Sequence, residues 1–182
     1  MAHLVEGNTL SQGAILDGVD WGLEPNPLSI VLTNECDFVN GNASYVIVAA
    51  IVSAKETITE SEEYKNKIEG ISDSTVGKKK WEVLRNFLEK YIYNKGVTRY
   101  YFIDPADVLD APYFFVDFQH IQSIPIDSAK NLEVIAQLPT PFKEQMMVQF
   151  ASYTARIPVD RADDTTAIVD DIISPLKRNF NL

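Results

Sequence analysis

The stretch "SIVLTNECDFVNGNASYVIVAAIVS", Ser29 to Ser53, decides the reading of the fold. Its opening, with Leu28 before it, is β-branched and apolar, as a buried strand requires, and stops abruptly at Thr33-Asn34-Glu35-Cys36-Asp37. Its second half, Ser44–Ser53, is apolar almost without interruption, the pattern of a strand covered on both faces. Between them Asn40-Gly41 is a turn dipeptide whose residues tolerate positive φ. The stretch therefore predicts an antiparallel pair whose connection carries Cys36 and Asp37.

Working outward, "GAILDGV" (13–19) is a short glycine-bounded strand, and "WGLEPNP" (21–27) reads as a loop. Downstream, "VTRYYFI" (97–103) and "PYFFVDFQHIQSIPI" (112–126) read as two more strands, the second alternating in its later half. Between the two β regions, residues of about 55–96 form a polar helical insert. There Trp81, Leu84, Leu88, Tyr91 and Ile92 make one helical stripe, with Gly96 placed as a C-terminal cap. Thr140 is placed to cap a further helix with Pro141 at its first position and Phe142, Met146, Phe150 and Tyr153 on one face. That face reads as core, with a homodimer interface as the alternative. Asp163 or Asp164 caps a last helix through Ile168 and Ile172, interrupted at Ser174-Pro175. The order predicts one α+β domain over 1–182: a small, partly open antiparallel β-barrel with a helical insert and C-terminal helices.

The chain has 182 residues, enough to bury one core, and a net charge of −10. That charge opposes non-specific nucleic-acid binding, which needs a surplus of Lys and Arg. Lys78, Lys79, Lys80, Trp81 and Arg85 make the best local basic patch and read as a solvated helix entry. No apolar run approaches the ~20 residues of a bilayer span. "MAHLVEGNTL" lacks the basic and apolar regions of a secretory signal, and its His3 reads as part of a loose terminus. A single cysteine fits a reducing compartment, so the expectation is a cytoplasmic protein without a membrane partner.

Nucleophilic chemistry at Cys36 would need a base, and the chain holds only His3 and His120. The bland reading, a packed thiol beside an Asp37 that hydrogen-bonds its turn, is the better one. One cysteine and two histidines give no zinc spacing, and no phosphate-binding glycine loop occurs, so neither metal nor cofactor is expected. Asp37, Asp104 and Asp117 could serve magnesium only if the fold gathered them. Asp117 stands among aromatic residues in "YFFVDFQ", where a charge needs a partner; Arg156, framed by apolar residues, is the candidate.

The chain resembles a family of uncharacterised bacterial and phage-associated proteins. The resemblance rests on Gly13-Ala14-Ile15, Val31-Leu32-Thr33-Asn34-Glu35-Cys36-Asp37 and Ala49-Ala50-Ile51. It continues through Tyr100-Tyr101, Val116-Asp117-Phe118 with Ser123-Ile124-Pro125, Pro141-Phe142-Lys143-Glu144 and Arg156-Ile157. Tyr101 stands where a histidine is common in that family, and Lys143 replaces an arginine. More distantly, Gly13-Ala14-Ile15 and Ser29–Thr33 are similar to the opening strands of the SH3-like MazF/PemK-type toxins. In those ribonucleases an arginine and a Ser/Thr serve RNA cleavage; Thr33 fits the latter, and Asn26-Pro27-Leu28 stands where the arginine would be. The expected site joins Thr33, Cys36, Asp37, Tyr101, Asp117 and Arg156 at one rim. The family has no established activity to carry over; the expectation is a bacterial cytoplasmic module that binds a partner protein or small ligand without catalysis, with a defence or toxin–antitoxin system as its candidate setting. A MazF-like endoribonuclease and a Cys36-dependent hydrolase are the alternatives.

Overall fold

The computed structural model describes residues 1–68, 78–94 and 98–155. Six strands run β1 (Ala14–Asp17), β2 (Ser29–Val31), β3 (Tyr45–Ser53), β4 (Tyr100–Ile103), β5 (Phe114–Pro125) and β6 (Glu133–Gln137). They form one antiparallel sheet in the order β4-β5-β3-β2-β1-β6. The helices are α1 (Glu35–Val39), α2 (Ala54–Glu60), α3 (Glu62–Ile68), α4 (Lys78–Ile92), α5 (Ile126–Lys130) and α6 (Phe142–Thr154).

The sheet curls into a half-barrel, and residues 2–5 help to draw its edges together. The Leu4 N–H donates to the Asp104 carbonyl just past β4 (3.1 Å), and the Asp104 N–H donates to Ala2 (2.9 Å). Val5 pairs with Gln137 of β6, at the other edge, through two bonds of 2.9 Å. One short segment thus satisfies backbone groups on both edge strands, which would otherwise stand open. Ala2 and Leu4 are buried, so the terminus around His3 is pinned rather than loose; the His3 ring lies 5.1 Å from that of Phe142.

The inner face is one continuous core. Ile15, Ile30, Ala49, Ile51, Tyr101, Val116, Phe118 and Ala136 come from all six strands, and Met146 of α6 closes over them. Full burial of a Phe118 or Met146 side chain contributes ~2–3 kcal/mol. The expected stripe on α6 packs here, so that face is core. Its start differs from expectation: Pro141 holds the cap position, and the Thr140 hydroxyl donates to Glu144 Oε1 (2.8 Å) instead of capping the backbone.

The outer face carries two smaller clusters. Ala14, Leu16, Val31, Val46 and Val48 pack under α5 and Trp21. Ala54, Ile58, Phe87, Phe102 and Phe115 form the second, which holds the helical insert. The near-continuous apolar run of β3 follows from this double cover. Within the insert, Phe87 is the buried anchor, whereas Trp81 is 55% exposed. The buried stripe therefore runs Leu84, Phe87, Leu88, Tyr91, rotated away from Trp81. Gly96 and the last expected helix, with Asp163, Asp164, Ile168, Ile172 and Ser174-Pro175, lie outside the described residues.

Gly13 earns its place at the start of β1. Its φ is +83°, and a Cβ there would stand 2.9 Å from the Leu138 carbonyl oxygen.

Candidate functional site

The connection after β2 is a one-turn helix rather than a plain turn. Asn34 caps it, its Oδ1 accepting from the Cys36 N–H (3.2 Å), and Gly41 ends it at φ 65°. Just before it, the Thr33 Oγ1 accepts from the Ile47 N–H at 2.7 Å, continuing the β2–β3 ladder with a side chain. Lys143 Nζ meets Glu35 Oε2 at 2.7 Å and ties α6 to α1.

These elements frame a cleft of about 470 Å³. Its polar wall is Thr33, Asn34, Asp37, Asn42 and Ser123; its apolar floor is Ile47 with Met147 and Phe150 of α6. Asp37 is exposed there, and its main-chain carbonyl accepts from Asn42 (3.0 Å) and Ala43 (3.3 Å), which fixes the rim. The arrangement offers hydrogen-bonding groups and a carboxylate above an apolar surface, the general make-up of a recognition site.

Asp117 belongs to a different locus. It stands at a bulge in the β3–β5 pairing, where Ala50 is opposite Asp117 and Ala49 is opposite Ile121. Its side chain is 2% exposed. Oδ1 accepts from Arg99 Nε (2.7 Å) and the Gln119 N–H (3.0 Å), while Oδ2 accepts from a terminal Arg99 nitrogen (2.7 Å). His120 Nδ1 lies 3.1 Å from the same Oδ2. The carboxylate is thus bound bidentately and also holds the bulge. The hydrogen bond to Asp117 is the main reason the Arg99 guanidinium titrates above its ordinary value, with burial opposing it. Arg99 also lies over the Tyr100 ring at 4.7 Å. The Tyr100 hydroxyl is pushed up, first by burial and then by the Asp117 charge.

Of the six residues expected at one rim, Thr33 and Asp37 share the cleft. Cys36 is exposed on α1 and does not line it. Tyr101 offers no aromatic surface: it is 2% exposed beneath α6, and its hydroxyl donates to the Phe142 carbonyl (3.1 Å). Burial pushes that hydroxyl up to about 12. Asp117 does not line the cleft either, and its partner is Arg99; Arg156 lies outside the described residues. Arg99 was the residue that sequence reasoning passed over. Its signal was its place directly before β4, whose Tyr100 stands opposite Asp117. Met147 was passed over as well, because only the docking of α6 brings it to the cleft.

Among the described residues, no cluster of three His, Cys, Asp or Glu side chains could hold a metal ion. Among the same residues, no helix is long and apolar enough to cross a membrane. Neither a scan against protein-family models nor a search of curated proteins finds a match to this chain.

Proposed function

We propose that this protein is a non-catalytic binding module whose cleft between α1, β3 and α6 takes a peptide segment of a partner protein. The observation that carries the reading is the pairing, in one cavity, of the open Asp37 carboxylate and neighbouring amide and hydroxyl groups with the Met147 and Phe150 floor. An apolar partner side chain seats on that floor. A basic or amide group faces Asp37, in keeping with a chain of net charge −10. Kinship with SH3-like barrels is part of this proposal, supported by the curled sheet and the short β1 and β2. So is a place in the bacterial cytoplasm within a defence or toxin–antitoxin system, supported by the sequence resemblance and the lone thiol. The test is co-purification with the wild-type chain and with Asp37→Ala: the proposal expects a partner that the variant loses while its fold survives. Equal retention by the variant argues against the cleft.

One geometry favours a second reading, a MazF-like endoribonuclease. Asp117 orients the exposed His120 imidazole beside the Arg99 guanidinium, a base next to an anion-stabilising group. That reading expects RNA cleavage by the wild type that is lost on His120→Ala. Unchanged cleavage by His120→Ala removes its support.

A further inference from the structure

A larger cavity lies elsewhere, between α2, the end of α4 and the β4–β5 connection, with a volume of about 640 Å³. That size is typical of small-molecule sites. Its walls are chiefly apolar: Ile58 is 9% exposed, Phe102 is 4% exposed, and Ile92 closes one side. The Tyr113 ring lies 5.6 Å from that of the buried Phe102, tilted by 33°, and Tyr113, 55% exposed, presents the ring surface of that wall.

The cavity is held open by backbone bonds. The Ala54 N–H donates to the Tyr113 carbonyl (3.1 Å), fixing α2 against the connection. Asp104 is fixed by the N-terminal segment, and its Oδ1 accepts from the Ala106 N–H (2.9 Å). Two charged side chains line the cavity, those of Lys55 and Asp104. They are not equivalent: Asp104 already serves its own turn, whereas the Lys55 ammonium has no side-chain partner among the described residues. Lys55 is exposed at the mouth of the cavity, so an anion that brings its own apolar body can seat that body on the apolar walls while its charge meets the ammonium at the rim.

We propose that this cavity is a binding site for a small aromatic carboxylate, its flat body on the apolar lining beside the exposed Tyr113 ring and its carboxylate on Lys55. The site is separate from the Asp37 cleft, and neither proposal depends on the other.

The test is calorimetric titration of the full chain with 2-naphthoate, the neutral 2-naphthamide and the cationic 2-naphthylmethylammonium. The expected result is saturable one-to-one binding of 2-naphthoate, a few-fold tighter than either of the others, the gain an exposed lysine supplies. Lys55→Gln should bring 2-naphthoate down to the level of the amide and leave the amide unchanged. Tyr113→Ala, at a side chain already 55% exposed and therefore tolerant of truncation, should weaken all three severalfold. Absence of saturable 2-naphthoate binding overturns the proposal. So does a Lys55→Gln variant with undiminished preference for the carboxylate, or undiminished binding in Tyr113→Ala.

Discussion

Two aspartates, Asp37 and Asp117, show how differently one side chain can be used. Asp117 is buried, and both its oxygens are taken: Arg99 binds both, the Gln119 N–H adds to one, and His120 faces the other. Asp37 stands exposed at the rim of a cleft, where its backbone N–H and carbonyl are engaged by the neighbouring segment and its carboxylate is left open. The first carboxylate organises a bulge in the sheet. The second is available to a partner. Burial and saturation, rather than residue type, separate a structural charge from a recognition charge.

The sharpest way to break this comparison is to remove the partner of the buried carboxylate. Arg99→Met leaves Asp117 buried without its guanidinium and should cost about 2–3 kcal/mol by urea denaturation. That is below the usual cost of breaking a buried pair, because Arg99 is 38% exposed and water replaces part of the interaction. A midpoint shift near zero would show that Asp117 does not depend on the pair. Thr33→Val removes the acceptor for the Ile47 N–H and should cost about 1–2 kcal/mol in the same measurement.

Tyr101→Phe deletes the hydroxyl bond to the Phe142 carbonyl and should cost about 1 kcal/mol at neutral pH. It also has a pH signature. The Tyr101 hydroxyl is raised to about 12 from an ordinary 10, so the folded state keeps a proton that the unfolded state loses. Stability should therefore fall as pH rises from about 10 to about 12, and the variant should lose part of that slope. Identical slopes for the two proteins would refute the assignment. The smallest effect on stability belongs to the open carboxylate: Asp37→Ala should move the urea midpoint by less than about 0.5 kcal/mol.

Much of the fold was legible in the residues themselves. The β-branched runs of β2, β3 and β5 and the Asn40-Gly41 turn state their conformations locally. So do the apolar spacings of α4 and α6, though only packing against Phe102 and Phe115 chose Phe87 over Trp81 as the anchor. β6 was missed because Glu133–Gln137 is five residues at a sheet edge, ordered by pairing with β1 and with Val5. The site was legible in pieces and not as a whole. Thr33 and Asp37 are neighbours in sequence and stay together. Asp117 shares the alternation of Phe115, which faces the insert, whereas Val116 and Phe118 face the core beneath α6. Its separation from Tyr101 was therefore implicit in the strand period, while its partnership with Arg99 waited on the β4–β5 register.

The most direct test of the account is a quantitative pull-down from the native cell with two baits, the wild-type chain and Asp37→Ala, read by mass spectrometry alongside their urea midpoints. The account predicts a protein enriched on the wild type and depleted at least tenfold on the variant, with midpoints that coincide. The same protein retained equally by both baits would contradict it.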